Sequence, residues 1–249
     1  MKVFSSFLSY IPVIIFWLLV WELADFLIAG SIIIVSPRVT FMRLFQLAQT
    51  FVFWSSIGTS LGRIVYGFGL ALVFGIIFAA ISSVCGVFKR LILPAVNVMN
   101  AIPIASFTVI ALMAMRSEYL SVFIAFVTVF PIMYHNTYKG IENTDPQLLE
   151  MARVFHVPSW KRFTHIYLRT VAPFVLSAAT AGIGFAWKSG IAGELIGIVR
   201  GTIGANLHNA RIFLQTADLF AWTIAIVLLS YAMERVFRVM FGRVTKWSS

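Results

Sequence analysis

Residues 145–173 read D-P-Q-L-L-E-M-A-R-V-F-H-V-P-S-W-K-R-F-T-H-I-Y-L-R-T-V-A-P, a polar and basic stretch between long apolar runs. Asp145 is a favourable N-cap, and Pro146 suits the first position of a helix. Three apolar residues then recur at helical spacing on one face: Leu148, Ala152 and Phe155. The pattern predicts a short amphipathic helix between two membrane segments, with a solvated loop as the alternative.

A second short helix is predicted directly after the first. Pro158 interrupts the first helix because proline lacks the backbone N–H that a helix interior needs. Ser159 can cap the second helix. That helix carries an aromatic and basic set of side chains: Trp160, Lys161, Arg162, His165 and Arg169.

The composition is that of an integral membrane protein. The chain has 249 residues, of which 60% are hydrophobic and 11% are charged, and its mean hydropathy is +0.94. A soluble domain of this length carries far more charge. The formal net charge is +10, but the basic residues cluster beside apolar runs, which indicates membrane topology and a lipid bilayer as partner, with no nucleic acid.

Metal and disulfide chemistry have little support in the sequence. Cys85 is the only cysteine, so the chain can form no internal disulfide and no cysteine-based metal site. The four histidines do not show ligand spacing. We therefore predict no metal site, no catalytic residues and no cofactor bound by this chain.

The apolar runs predict an all-α membrane protein with about six transmembrane helices in a single domain of residues 1–249. The predicted spans are residues 4–24, 57–85, 91–115, 119–138, 172–192 and 216–236. The polar stretch forms a loop at residues 144–170 between spans 4 and 5. We also predict an amphipathic surface helix at residues 38–54 and a loop at residues 193–215.

The charges outside the spans indicate the orientation. With the N- and C-termini in the cytoplasm, twelve lysines and arginines lie inside and five outside. This bias agrees with the positive-inside rule. It predicts a multi-pass protein of the cytoplasmic (inner) membrane, with residues 144–170 on the cytoplasmic side.

Two spans carry small residues at every fourth position. The first ridge comprises Gly67, Ala71, Gly75 and Ala79. The second comprises Ala178, Gly182, Ala186 and Gly190. Small residues at this interval form a flat surface on which another helix backbone can pack closely.

Polar residues within the spans have two interpretations each. Arg63 either faces protein or water, or extends its side chain to the membrane surface, which its position near the predicted helix start favours. Asn97 and Asn100 share a span with Pro94 and Pro103. They either line a polar path along a kinked helix or form hydrogen bonds between helices.

The polar stretch resembles the cytoplasmic signature loop of permease subunits of ABC importers. That pattern is Glu-Ala-Ala, three residues, Gly, nine residues, Ile-x-Leu-Pro. Four positions match it at the right spacing: Glu150, Ala152, Ile166 and Leu168. Three positions depart from it: Met151, His156 and Arg169. The family glycine falls where the two short helices break, and histidine is among the non-glycine residues that adopt a left-handed conformation most often.

The resemblance extends along most of the chain. Further motifs are S-L-G-R-I-V-Y-G-F at 60–68, A-I-P-I-A at 101–105, F-P-I-M-Y-H-N-T-Y-K-G at 130–140 and A-G-E-L-I-G at 192–197. They resemble the permease branch that serves nitrate, taurine and aliphatic sulfonates, which also includes permeases for thiamine-precursor pyrimidines. The resemblance implies a type I ABC importer permease fold, with a coupling helix between spans 4 and 5.

The resemblance also implies partners. These are two ABC ATPase subunits that bind ATP and magnesium, a second permease copy in a homodimer, and an extracytoplasmic solute-binding protein. The coupling residues are expected to be Leu148, Leu149, Glu150, Ala152, Arg153, Phe155 and His156. The leucines have burial against the chain's own helices as an alternative role.

Three residues in or after the fifth span are candidates for the substrate path, together with the two asparagines. Trp187 and Lys188 lie within the span. Lys188 either attracts an anionic solute or extends to the outer surface. Glu194 resembles a family position, and it is expected to shape the outer gate, touch the binding protein or cap a helix.

Two other classes of function remain as alternatives to the importer permease. A stand-alone channel or proton-coupled secondary carrier requires a relay of acidic or histidine residues within the spans. Only Glu22, near a span end, and His135 have the required chemistry and position. A membrane enzyme requires a convergent nucleophile and base or a metal set, and the sequence contains no such cluster.

Overall fold

The computed structural model describes the backbone of residues 2–28 and 34–245, and the side chains of residues 11–28 and 34–240. All regular structure in these ranges is helical. The helices are α1 (Lys2–Leu27), α2 (Pro37–Ala48), α3 (Phe51–Val84), α4 (Gly86–Ala101), α5 (Ile104–Ala114), α6 (Leu120–Glu142), α7 (Pro146–Val154), α8 (Ser159–Arg162), α9 (Leu168–Gly197), α10 (Ile203–Ile212) and α11 (Thr216–Thr245). One 3₁₀ turn (Ser117–Tyr119) precedes α6, and one π turn (Phe163–Tyr167) joins α8 to α9.

Four helical segments of the described chain are long and apolar enough to cross a membrane, and one bent pair of helices passes the same test when its two members are taken together. The four segments are Phe51–Val84, Ser117–Glu142, Ser159–Gly197 and Thr216–Met240. The predicted span at residues 4–24 falls within α1, but the side chains of its first residues lie outside the described part. The fold class predicted from the sequence, an all-α membrane protein, is confirmed.

The predicted span at residues 91–115 is divided into α4 and α5, whose axes meet at an angle of 112°. The break lies at Ile102 and Pro103, both of which have extended backbone angles. Pro103 disfavours the helical conformation at Ile102 and supplies no N–H of its own. By contrast, Pro94 lies inside α4 without ending it.

The surface helix is shorter than the prediction of residues 38–54. α2 ends at Ala48, and α3 begins at Phe51 after Thr50, whose hydroxyl accepts a hydrogen bond from the N–H of Phe53 at 3.3 Å. Arg43 of α2 donates to both carboxylate oxygens of Asp218 at the start of α11, with Nη2 and Oδ2 3.0 Å apart. These hydrogen bonds raise the pKa of Arg43. The paired charges hold α2 against α11.

Residues 193–215 were predicted as a loop, but they contain helical structure. α9 continues to Gly197, and Ile198 then takes a left-handed conformation with φ of 48°. α10 follows at Ile203–Ile212, and the hydroxyl of its N-cap Thr202 accepts from the N–H of Ala205. The polar residues between the spans therefore belong mostly to a short helix.

The first ridge of small residues faces α6. A Cβ atom added at Gly67 would overlap the carbonyl oxygen of Val122, and one added at Gly75 would lie 2.5 Å from Cβ of Met133. Ala71 and Ala79, between and beyond them, are completely buried. The backbone of α3 thus lies directly on α6.

The second ridge faces both α6 and α3. A Cβ atom added at Gly182 would lie 3.0 Å from Cγ1 of Val129 on α6, and one added at Gly190 would lie 2.5 Å from Cγ1 of Ile64 on α3. Ala178 and Ala186 on the same face are also buried. α3, α6 and α9 therefore form a three-helix core in which small residues set the spacing.

We expect Gly67→Ala to destabilise the protein by about 1–3 kcal/mol, the usual effect of overpacking a close contact. Gly69→Ala provides the matched control, because a Cβ atom at Gly69 meets nothing within 4 Å on the same helix. The measurement is the apparent melting temperature of both variants in detergent. Equal melting temperatures would show that the contact of α3 with α6 is not constrained by Gly67.

Candidate functional site

The predicted helix in the polar stretch is α7, Pro146–Val154, and its start has the predicted cap. The carboxylate of Asp145 accepts a hydrogen bond from the N–H of Gln147 at 2.8 Å, and Pro146 occupies the first helical position. Both features were predicted from the sequence, and both are confirmed. They fix the point at which the chain leaves α6 and enters α7.

The end of α7 is a left-handed cap centred on His156, which has φ of 51°. The N–H of Val157 donates to the carbonyl oxygen of Ala152 at 2.9 Å, and the N–H of His156 donates to that of Arg153 at 3.0 Å. These two bonds are those of a Schellman motif. The conformation expected at the family glycine is therefore present with histidine in its place.

The exposed face of α7 differs in part from the predicted one. Ala152 was predicted as a docking contact, but it is 2% exposed and faces the chain's own interior. The exposed apolar side chains are instead Leu148, Met151, Val154 and Phe155. Met151 and Val154 were missed, although Leu148, Met151 and Val154 follow one another at intervals of three residues, which gave the signal.

The predicted polar contacts Glu150 and Arg153 are both exposed. Neither forms an ion pair with another residue of the described chain. Leu149 is only partly exposed and lines a cavity of about 290 Å³ with Arg153 and Arg162. The alternative assigned to the leucines, contact with their own chain, thus describes Leu149 better than Leu148.

The segment after α7 begins differently from the prediction. Pro158 is the N-cap of α8, and Ser159, which was predicted as the cap, is the first helical residue. Its hydroxyl instead accepts a hydrogen bond from Nη2 of Arg162 at 2.9 Å. Trp160 and Phe163 are exposed and enlarge the apolar surface beside α7.

Two of the predicted path residues are buried. Trp187 is completely buried, and its Nε1 donates to the carbonyl oxygen of Ile226 on α11 at 3.0 Å. Glu194 is also completely buried: one carboxylate oxygen accepts from Ser60 Oγ at 2.7 Å and from the N–H of Gly204 at 3.3 Å. In this conformation neither side chain is open to a solute, and Glu194 joins α9 to α3 and to the first turn of α10.

Arg63 lies further from the start of its helix than the sequence predicted. α3 begins at Phe51, so Arg63 is twelve residues into the helix, about 18 Å from its start. Its Nη1 atom is buried without a partner in the described chain, and the guanidinium interacts electrostatically with Glu194. The buried Nη1 atom agrees with the alternative in which Arg63 faces protein, and extension of the side chain to the membrane surface stays a prediction.

The other path candidates are exposed in two separate places. Asn97 and Asn100 lie on α4. Lys188 lies on α9 and lines an open cavity of about 570 Å³ between α9 and α11. Glu234 and Arg238 of α11 also line this cavity, and they were missed because no local pattern links α11 to α9. Among the described residues, no group of three histidine, cysteine, aspartate or glutamate side chains could hold a metal ion.

Comparison with known proteins places the sequence in a family. Residues 71–246 match the family described as "Binding-protein-dependent transport system inner membrane component". A probable ABC transporter permease protein of Brucella melitensis is 25% identical, with 93% of this chain and 92% of the relative covered. The putative aliphatic sulfonates transport permease protein SsuC of Escherichia coli is 29% identical, with 86% and 80% covered.

A solved structure has the same fold. It is titled "Crystal structure of bacterial alginate ABC transporter in complex with alginate pentasaccharide-bound periplasmic protein", and the matching chain has a TM-score of 0.61 at 14% identity. The match covers 98% of this chain and 93% of that one, so the helices follow the type I permease fold. With a family match over most of its length, this chain belongs to the inner membrane components of binding-protein-dependent transport systems and is a multi-pass transport subunit of the ABC importer permease class.

Proposed function

We propose that this permease gives a small anionic solute alternating access across the membrane, driven by ATP hydrolysis in a partner. The solute is delivered by an extracytoplasmic binding protein. The observation that carries the proposal is α7, a helix with fixed ends whose apolar face has no partner in the described chain. The solute class is supported by SsuC, whose name specifies aliphatic sulfonates.

The energy source is assigned to separate subunits. The 249 residues contain no G-x-x-x-x-G-K-[ST] phosphate loop. We assign ATP and magnesium to two ABC ATPase subunits, and a second copy of this permease would complete a homodimer. Each ATPase would receive one α7 in a surface groove.

The exposed face of α7 suits such a groove. Leu148, Met151 and Phe155 are 43%, 51% and 75% exposed, and these spacings place them on one side of the helix. Glu150 and Arg153 are exposed on other sides of the helix and can add charge recognition by pairing with opposite charges. This arrangement supports docking that combines apolar burial with charge recognition.

Movement of α7 can be transmitted to the membrane through two connections. Only three residues, Asn143–Asp145, separate α6 from α7. The other connection is continuous helix from Ser159 to Gly197, interrupted by the π turn at Phe163–Tyr167. Turns of this kind are among the places where helices kink. ATP can shift the permease between its inward-open and outward-open states only if the affinity of the ATPase dimer for ATP differs between these two states.

The opposite end of α9 is proposed to meet the binding protein. α9 has 30 residues and spans about 45 Å, so α7 and α10 lie at opposite ends of it. Ile212, Phe213 and Leu214 follow one another at the end of α10 and are all more than half exposed. The solved alginate transporter is described in complex with a periplasmic protein. We therefore assign this end to the extracytoplasmic side and both termini to the cytoplasm, in agreement with the distribution of basic residues.

We expect Glu150→Lys/Phe155→Asp to abolish retention of the ATPase. The double change reverses a charge and places a carboxylate on the apolar face of α7. The measurement is the amount of the partner ATPase that co-purifies with the permease in detergent when the two proteins are expressed together. If the double variant keeps its ATPase at the wild-type level, α7 is not the docking helix, and failure of the wild type itself would favour the stand-alone carrier.

Phe213→Asp is expected to leave ATPase retention unchanged but to weaken binding-protein docking. Phe213 and Phe155 are similarly exposed, at 69% and 75%, so each single aspartate substitution is a matched control for the other. The measurement is stimulation of ATP hydrolysis by the solute-loaded binding protein in reconstituted membranes. Wild-type stimulation of Phe213→Asp would contradict the assignment of this end.

A further inference from the structure

The cavity of about 570 Å³ between α9 and α11 collects charged groups that the coupling mechanism does not use. On α9 its lining includes Ser177, Gly184 and Lys188. Gly184 follows Ser177 by seven residues and Lys188 follows Gly184 by four, which places all three on one face of the helix. On α11 it includes Glu234 and Arg238, which are one turn apart.

The order of the charges along the cavity follows from the packing of the two helices. Trp187 on α9 meets Ile226 on α11 at 3.0 Å, whereas a Cβ atom at Gly184 would lie 2.5 Å from Oε1 of Glu234. The later residue of α9 thus meets the earlier residue of α11, so the helices are antiparallel. Lys188 lies about 6 Å beyond Gly184 in one direction, and Arg238 lies about 6 Å beyond Glu234 in the other. The carboxylate therefore sits between the two cations.

These three charges are not neutralised in pairs. None of them forms an ion pair with another residue of the described chain, although three ion pairs form elsewhere in it. Lys188 and Arg238 are exposed, and Glu234 is partly exposed. Charged side chains within membrane spans face protein or water in preference to lipid. The cavity is thus a water-accessible site with one excess positive charge.

The other lining groups suit an organic anion. Ser177 Oγ makes no hydrogen bond within the described residues and is free to donate one, whereas Thr180 donates to the carbonyl oxygen of Leu176 at 2.7 Å. Phe185 also lines the cavity and is 53% exposed. An oxyanion with a short apolar group could contact the cations Lys188 and Arg238, the hydroxyl of Ser177 and the ring of Phe185.

We propose that this cavity is the intramembrane binding site for the oxyanion head group of the transported solute. Arg238 offers its planar fork to two oxygens, and Lys188 offers a point charge. Glu234 competes with the solute for both cations and keeps the affinity low enough for release, as transport through a site requires. The proposal rests on the function proposed above, and it adds the residues and the head-group chemistry.

The test is titration calorimetry of the purified permease–ATPase complex with ethanesulfonate and with nitrate, each measured separately. We expect Lys188→Gln and Arg238→Gln each to weaken binding about tenfold, the effect of losing one charge-assisted hydrogen bond. Glu234→Gln is expected to strengthen binding several-fold, which a purely structural role for this carboxylate would not produce. Arg211→Gln removes an exposed arginine outside the cavity and should leave binding unchanged.

Three outcomes would overturn the proposal. They are no binding of either anion to the wild type, equal binding by all the variants, and binding of phosphatidylglycerol in nanodiscs without binding of either soluble anion. The last would assign the cavity to a lipid head group. Because ATPase retention is measured independently, a complex that assembles but does not bind these anions as expected would refute this site and leave the proposed function standing.

Discussion

Gly67 brings the backbone of α3 against the carbonyl oxygen of Val122 on α6, and Gly75 brings it against Met133 two turns later. Within a bilayer the lipid is as apolar as the side chains, so helices gain little from simple hydrophobic association, and close packing must supply the attraction. Any larger side chain at these positions would push α6 outward. The positions of α7 and α9 depend on this contact, because both follow α6 in the chain.

The same core fits the proposed role of α7 as a lever. Its first residue is fixed by Asp145 and its last turn by the left-handed His156, so the helix has defined ends. Ala152 is buried on the side facing its own chain, while Phe155 is 75% exposed. A force applied to the exposed face therefore acts on a short rigid element. Its covalent neighbours α6 and α9 are packed against each other and would move together.

The sequence predicted features that depend on local chemistry. The caps at Asp145 and His156 and the helical class follow from residue preferences and spacing within a few turns. Features that depend on distant pairs were not predictable. Glu194 meets Ser60, 134 residues away in the chain, and no periodicity connects them. The approach of Lys188 to α11 and the burial of Ala152 were not predictable for the same reason. A helical pattern shows which residues share a face but not what covers that face.

Charged side chains in these helices fall into two physical classes. Glu194 is completely buried and accepts hydrogen bonds from Ser60 and Gly204, so it joins three helices at one end of α9. Lys188 and Arg238 are exposed in an open cavity and have no ionic partner in the described chain. A buried carboxyl group that accepts hydrogen bonds from fixed donors can hold helices together, whereas a solvated charge in a span gains from a ligand of opposite sign. The first class therefore stabilises the helix framework, and the second fits the anion site proposed between α9 and α11.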